Sequence, residues 1–240
     1  MDSDALNGLY AGCHIYMPEG STIPDVWQTY SSMYYFYANG ELLNSSTLPT
    51  VTVTGGNYDG KTLSFIDANA SGHTWWEANN LTDATAIRLE GDWTSTQMDG
   101  LRASLTGKTS PGTAQSNNST LTSADMSRAS LVGNFSSNGM SQLFWGYSAL
   151  QTIVLPSVGS ASYSGVSFSF AFSGCTALTT LTNLDKFTNV TDLYAAFSGC
   201  TSLTSIRLGT SLSSIDAFLQ SYIFTDLNPN CLIYLADKVK

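Results

Sequence analysis

The chain has 240 residues, of which 42% are hydrophobic and only 11% are charged, and it carries a net charge of −9. Binding to nucleic acid or to an anionic membrane surface needs clustered Lys and Arg, and the nine such residues of this chain argue against both kinds of partner. The chain contains no run of 18 apolar residues, so its sequence predicts no transmembrane segment.

The N-terminal segment, residues 1–50, differs in composition from the rest of the chain. Its start, "MDSDALNGLYAG", is acidic and lacks the basic residues and apolar core of a signal peptide. If the protein is exported, we therefore expect this chain to be the form from which a signal peptide has been removed. The segment is rich in Tyr and contains Pro18 and Pro24. It is either a small β-rich cap on the repeats that follow or the remnant of a preceding module.

A second domain is predicted over residues 51–240, and its first element is a hairpin. The stretch "LPTVTVTGGNYDGKTLSFI" alternates Val with Thr around a glycine-rich turn. Beyond it, Trp75 and Trp76 stand together in "HTWWEANN". Adjacent residues of a strand face opposite sides, so one of the two would be exposed as a platform for a sugar or a protein. The alternative is that these residues cover the first repeat.

From residue 84 onward, a short apolar pattern returns at intervals of 37, 29, 28, 25 and 27 residues. Its anchor positions are Ala84, Leu121, Leu150, Leu178, Leu203 and Asn230. The polar stretch 106–120, "TGKTSPGTAQSNNST", is predicted as a loop and explains the longest interval. Such a period is typical of a solenoid, in which each repeat buries the apolar face of its neighbour.

Each anchor opens a segment of the form L-x-x-I-x-L, whose alternation predicts one β-strand per repeat. The inward residues are predicted to stack into one core: Ile153, Leu155, Leu181, Ile206, Leu208, Ile233 and Leu235. An aromatic residue six positions before each anchor is expected to fill that core from the opposite wall: Phe144, Phe172, Phe197 and Phe224. Gly146, Gly174 and Gly199 share one position in the repeat, which indicates a turn that needs a positive φ or a close approach of two backbones.

The stretch "AFSGCTSLTSIRLGTSLSSIDAF" resembles the BspA-type leucine-rich repeat, and "LQTIVLPSV" carries the Leu-Pro ending of that repeat. The segment "LTSADMSRASLVG" is similar to the segment that often precedes such repeats. The segment "ATAIRLEGDWTSTQMDGLRASL" resembles their first repeat. The chain departs from the family pattern after Leu181, where "TNLDKF" has no Pro, and in the last unit, which lacks Gly-Cys. The predicted fold class is α/β or β-rich: a right-handed leucine-rich-repeat solenoid with one β-strand per repeat of 25–29 residues, preceded by a small β-rich N-terminal cap.

The cysteines Cys175 and Cys200 occupy the same repeat position. They could form a disulfide or a metal pair, but Tyr147 fills the equivalent position of the preceding repeat, so we favour a ladder of buried thiols. The only histidines, His14 and His73, have no His or Cys neighbour at metal-ligand spacing. The sequence contains no P-loop and no G-x-S-x-G. We therefore expect no cofactor, no metal and no enzymatic activity.

The predicted binding surface is a row of outward residues, one per strand. Strand alternation points these side chains away from the core: Arg88, Asp125, Val154, Thr182, Arg207 and Tyr234. The mixed chemistry of the row favours recognition of a protein, and the alternative is a merely solvated face. A second hypothesis is a carbohydrate-binding protein that uses exposed aromatics such as Trp75 and Trp76, and a glycoside-active enzyme is a less favoured third.

The family resemblance implies a bacterial protein that is secreted or displayed on the cell surface and acts in adhesion. It also implies a protein or glycan ligand and no catalytic role. We expect the chain to be a monomer.

Overall fold

The computed structural model describes residues 13–30, 34–38, 41–44, 48–65, 80–107, 120–135, 140–156, 163–209 and 222–235. These residues form one α-helix, α1 (Ser95–Thr106), and fourteen strands: β1 (His14–Met17), β2 (Tyr35–Ala38), β3 (Glu41–Leu42), β4 (Thr50–Thr54), β5 (Thr62–Ser64), β6 (Ala86–Trp93), β7 (Ser123–Leu131), β8 (Gly133–Phe135), β9 (Thr152–Val154), β10 (Tyr163–Ser167), β11 (Thr180–Thr182), β12 (Val190–Asp192), β13 (Ser205–Leu208) and β14 (Leu232–Leu235). The prediction of a β-rich chain is confirmed, and most strand pairs are parallel. In this part of the chain no helix has the length and the apolar character needed to cross a bilayer.

The largest sheet has six strands in the order β11-β9-β7-β6-β4-β5. The strands β4 and β5 form the predicted antiparallel hairpin and join the edge of β6. The remaining pairs are parallel, with Ile87 opposite Ala124, Ala124 opposite Ile153, and Ile153 opposite Leu181. These partners are separated by the predicted intervals of 37, 29 and 28 residues, so the anchors identified in the sequence set the register of the sheet.

A smaller sheet pairs β13 with β14, again in parallel and at the predicted interval, with Ile206 opposite Ile233. A third sheet, β12-β10-β8, is formed by the segments that follow β11, β9 and β7 along the chain. We call the strands β6, β7, β9, β11, β13 and β14 the strand side of the repeats. The turns that lead into the anchors are the turn side, and they comprise residues 140–147, 168–175, 193–200 and 222–227.

Stacked aromatic rings hold the turn side together. The rings of Phe172 and Phe197 are 5.6 Å apart and nearly parallel, and Phe224 continues the stack at 6.1 Å. The glycines predicted to need a positive φ have one: φ is 81° at Gly146, 75° at Gly174 and 74° at Gly199. The backbone packs so closely here that a Cβ on Gly174 would lie 3.3 Å from the Cα of Gly146.

The core follows the sequence pattern except at its C-terminal end. The anchors Leu178 and Leu203 are fully buried, as predicted. The expectation of buried Ile233 and Leu235 is wrong: these side chains are 42% and 61% exposed. Both are aligned with inward residues of β13, but among the described strands none pairs with β14 on its other side. Leu181 is only partly buried, for a reason given below.

The helix α1 follows β6 and covers the core beside it. It begins at a capping box, in which Thr94 and Gln97 exchange hydrogen bonds, and it ends at Gly107 in the left-handed conformation. Its buried Arg102 donates to the backbone oxygen of Ser141 on the turn side and pairs with Asp99 at 2.6 Å. Burial lowers the pKa of Arg102, while Asp99 acts in the opposite direction.

Part of the N-terminal segment forms a separate small sheet, β1-β2-β3, with its own apolar cluster around Trp27, Tyr34 and Phe36. Buried Asn44 fixes this unit, because its side chain accepts from the backbone N–H of Phe36 and donates to the backbone oxygen of Tyr34. The hydroxyl of Tyr35 donates to the side-chain oxygen of Ser64 at 2.9 Å, which links the unit to the hairpin.

Candidate functional site

The predicted outward row exists along the strand side. Arg88 lies opposite Asp125, Asp125 opposite Val154, and Val154 opposite Thr182. Arg207 and Tyr234 form the same relation between β13 and β14. None of these six side chains is buried. The structure therefore brings the predicted residues together as two aligned groups.

The hairpin extends the row in the other direction, which the sequence reasoning missed. Thr52 lies opposite Arg88, and Thr62 lies opposite Thr52 with their hydroxyl oxygens 3.0 Å apart. At a spacing of about 4.8 Å per strand, the six strands of this face span about 24 Å. The alternation in "TVTVT" is the signal that could have identified this extension.

Charged side chains on this face pair with one another. Glu90 forms an ion pair with Arg88 at 3.2 Å and accepts a hydrogen bond from Arg128, on the neighbouring strand, at 3.1 Å. Arg207 differs, because among the described residues it has no carboxylate partner within 4 Å, and its guanidinium lies 4.6 Å from the centre of the Tyr234 ring. Arg207 is thus held by a cation–π contact while its hydrogen-bonding groups remain available to a ligand.

The two groups of the row are separated by a groove between β11 and β13. These strands belong to successive repeats and lie close together, yet they do not pair: β11 is the edge of the six-stranded sheet and β13 the edge of the two-stranded one. The groove has a volume of about 370 Å³. It exposes one side of Leu181, which accounts for the incomplete burial of that residue.

The segment after Leu181 explains why the strands separate. In the preceding repeat, β9 is followed by the buried Leu155, whose backbone N–H extends the ladder by donating to Thr182. After β11 the chain instead turns at Asn183, where φ is 69°, into a 3-10 helix, Leu184–Lys186. A Cβ on Gly209 would lie 2.9 Å from the backbone oxygen of Asp185, so this helix packs directly against the end of β13. The segment "TNLDKF", which has no counterpart of the Leu155–Pro156 ending of the preceding repeat, thus coincides with the opening of the sheet.

The groove is lined mainly by polar groups. Its hydroxyl-bearing residues are Thr179, Thr180, Thr182, Thr204 and Ser205. Its charged residues are Asp185, Lys186 and Arg207, which give it one net positive charge in a chain whose net charge is −9. Lys186 contacts Asp185 at 3.6 Å, and both side chains are well exposed.

An aromatic ladder on the turn side is a second surface that the sequence reasoning missed. The ring centres of Trp145 and Phe170 are 5.2 Å apart, those of Phe170 and Tyr194 5.1 Å, and those of Tyr194 and Tyr222 6.0 Å. Trp145 and Phe170 are partly buried, whereas Tyr194 is 38% and Tyr222 67% exposed. The interplanar angles along the ladder are 36°, 66° and 79°, so the ladder is not a flat platform.

The remaining predicted positions carry no further site in the described chain. Trp75 and Trp76 lie outside the described residues. Cys175 and Cys200 are free and buried, as predicted, and each thiol donates to a backbone oxygen of the neighbouring repeat, Phe144 and Phe172 respectively. Burial raises the pKa of Cys200 to about 12, so this thiol is a weak nucleophile. Within the described ranges no three His, Cys, Asp or Glu residues are grouped to hold a metal ion.

Comparisons with protein-family models, with curated proteins and with solved structures yield no significant match. The resemblance to BspA-type repeats therefore rests on the residues quoted from the sequence.

Proposed function

We propose that this chain is a non-catalytic binding module whose strand side contacts another protein. The observation that carries the proposal is the aligned row from Arg88 to Thr182, which is continued by Arg207 and Tyr234. A face about 24 Å wide that remains unburied and mixes charged, polar and apolar groups suits a protein surface better than a uniform polymer.

The proposal also covers the type of repeat fold and the location of the protein. We propose a right-handed leucine-rich-repeat solenoid of the BspA type, in which the N-terminal unit is a cap. The parallel registers at the repeat intervals and the recurring glycine turns support this fold. The resemblance then favours a secreted or cell-surface bacterial protein that acts in adhesion.

A site-specific photocrosslinker tests the proposed face. We would place it at Val154, in the centre of the row, and in a control protein at Thr191, an exposed position on β12 in another sheet. After incubation with a purified extracellular or surface protein fraction, the Val154 variant should give a discrete crosslinked band that excess unmodified protein competes away. An equal band from the Thr191 variant, or no competed band at all, would contradict the proposal.

Once the crosslinked partner is identified, its affinity can be measured directly. Tyr234→Ala and Arg207→Ala should each weaken binding, because Arg and Tyr contribute disproportionately to protein interfaces. Their circular dichroism spectra and melting temperatures should stay close to those of the unmodified protein, since both side chains are exposed. Normal binding by both variants, with loss of binding in Trp75→Ala or Trp76→Ala, would move the site to the aromatic N-terminal region.

Carbohydrate binding through exposed aromatics is the second candidate function. The ladder that ends at Tyr194 and Tyr222 favours it, because exposed aromatic side chains present apolar surface to the faces of sugar rings. The large angles between neighbouring rings limit the flat area available for stacking. Retention on insoluble polysaccharides that is lost in Tyr222→Ala but kept in Arg207→Ala would favour this second candidate.

A further inference from the structure

We infer that the groove between β11 and β13 binds a sugar that carries a carboxylate, such as a sialate or a uronate. This site is distinct from the proposed protein-binding row as a whole, although it includes Thr182 and Arg207 of that row. The inference rests on the size of the groove, on the groups that line it and on the state of Arg207.

The dimensions of the groove suit a compact ligand and exclude a peptide strand. Its volume of about 370 Å³ lies near the lower end of the range of about 300–1,000 Å³ seen for small-molecule sites. A strand inserted between β11 and β13 would hold them about 9.6 Å apart, twice the usual strand spacing. Cα atoms of the two strands already lie within 8 Å of each other, which is too close for such an insertion.

The lining matches the hydrogen-bonding pattern of a sugar. A hydroxyl group both donates and accepts, and the threonines on both walls of the groove present such groups together with small methyl surfaces. Thr180 and Thr182 stand on one wall, and Thr204 stands on the other. A polyol can therefore exchange hydrogen bonds with both strands at once.

Arg207 selects for a carboxylate. The planar guanidinium group can bind a carboxylate through two parallel hydrogen bonds, and that of Arg207 lies over the ring of Tyr234, 4.6 Å from its centre. It has no carboxylate partner among the described residues, whereas Arg88, Arg102 and Arg128 each have one. Lys186 and Asp185 pair with each other in the lining, so Arg207 leaves the groove with one net positive charge, which favours an acidic sugar over a neutral one despite the negative charge of the chain.

Methyl NMR spectroscopy on the full chain, with threonine methyl groups labelled, tests the inference. The probes are 3′-sialyllactose and a glucuronate-containing chondroitin disaccharide, each compared with a neutral sugar, lactose or N-acetyllactosamine. At least one acidic probe should shift the methyl signals of Thr180, Thr182 and Thr204, and the neutral sugars should not. Binding should weaken as salt is added, because the exposed ion pair is screened.

Two variants and a control locate the site. Arg207→Gln should weaken binding of the acidic sugar by about tenfold or more, the usual effect of losing a hydrogen-bonded charge. Thr182→Val, which removes only a hydroxyl, should weaken the binding less. Arg128→Gln is the matched control, because it removes an exposed arginine of the same face outside the groove, and its affinity should change by less than about twofold.

Several outcomes would overturn the inference. One is the absence of shifts from both acidic probes at about 10 mM, well above the Kd of about 1 mM expected for a weak site. A second is equal binding of the neutral sugars, and a third is an affinity that Arg207→Gln leaves unchanged while the variant keeps its methyl spectrum. Displacement of the sugar by an equimolar Glu-rich peptide would assign the carboxylate pocket to a protein partner instead.

Discussion

The repeat that contains β11 and the repeat that contains β13 are joined by backbone hydrogen bonds on the turn side, but their strands do not pair on the strand side. On the turn side the backbone N–H groups of Phe172 and Gly174 donate to Ala196 and Ser198 in the next repeat. On the strand side, over the same step, β11 and β13 form no ladder. Two regions of the same pair of repeats thus obey different constraints.

The difference shows what each side of the repeat requires. The turn side is constrained by large stacked rings and by glycines that let two backbones approach, so a change of spacing would break several contacts at once. From β9 onward, the strand side depends on strands of only three or four residues in each repeat. A short 3-10 helix after Leu181 is sufficient to separate two such strands while the turn side keeps the repeats stacked.

The largest expected effect on stability comes from truncating a leucine to alanine, at a fully buried position and at one that borders the groove. Leu203→Ala should lower the free energy of unfolding by about 2–5 kcal/mol, because Leu203 is fully buried. Leu181→Ala should cost clearly less, because one side of Leu181 already faces the groove. Urea unfolding followed by circular dichroism measures both. Equal losses, or a larger loss for Leu181→Ala, would mean that Leu181 is packed as tightly as the fully buried anchor Leu203.

Repetition explains which features could be predicted from the sequence. The anchors Leu178 and Leu203, the glycines with positive φ and the buried thiols recur at one position in successive repeats, and stacking forces equivalent residues into equivalent environments. The outward residues followed from strand alternation alone. Spacing therefore predicted the register, the outward row and most of the core, but not the exposure of Ile233 and Leu235.

The features that were missed depend on breaks in that repetition. The groove arises where Asn183–Lys186 replaces the Leu-Pro ending, and spacing does not reveal where a non-repeated segment directs the chain. The aromatic ladder was hidden because its members stand at varying distances from the buried aromatic: Trp145 follows Phe144 directly, whereas Phe170 precedes Phe172 by two positions. The exposure of Ile233 was missed because the pattern cannot indicate that no described strand covers the last one.

A second prediction uses the thiols to measure how well the turn side excludes water. Burial raises the pKa of Cys200 from its ordinary value of 9.0 to about 12. Below about pH 9 the thiol is protonated in both the folded and the unfolded chain, so its contribution to stability is complete. Between about pH 9 and 12 the unfolded thiol ionises while the folded one keeps its proton, so stability falls as the pH rises, by up to about 1.4 kcal/mol per pH unit.

The effect of Cys200 is isolated by comparing slopes of unfolding free energy against pH over that window. Cys200→Ala should have a shallower slope than the unmodified chain, because one group that ionises only on unfolding has been removed. Cys231→Ala is the matched control: Cys231 is less buried, and burial raises its pKa to a smaller extent, so the slope should change less. A slope that Cys200→Ala leaves unaltered would indicate that water reaches the thiol in the folded protein.

The last prediction concerns the smallest chemical change, the addition of a single methyl group to the turn side. At Gly174 the added Cβ meets two unfavourable conditions, a φ of 75° and a distance of 3.3 Å to the Cα of Gly146. The left-handed conformation alone costs a residue with a side chain about 1–2 kcal/mol. The close approach to a backbone atom of the neighbouring repeat adds to this, because neither turn can move without disturbing the stacked rings.

Gly133→Ala separates the two contributions. Gly133 also has a positive φ, of 91°, but a Cβ there would have no atom within 4 Å, so only the conformational cost applies. We therefore expect Gly174→Ala to lower the melting temperature more than Gly133→Ala does, with Gly199→Ala between them because its added Cβ would lie at 3.5 Å. Differential scanning calorimetry on the three variants decides the order. If Gly174→Ala were the mildest of the three, the turn side would have room to spread between the repeats of β9 and β11. If Gly199→Ala were the mildest, the same would hold between the repeats of β11 and β13, and close stacking of the turns could not be what keeps these two repeats together where their strands separate.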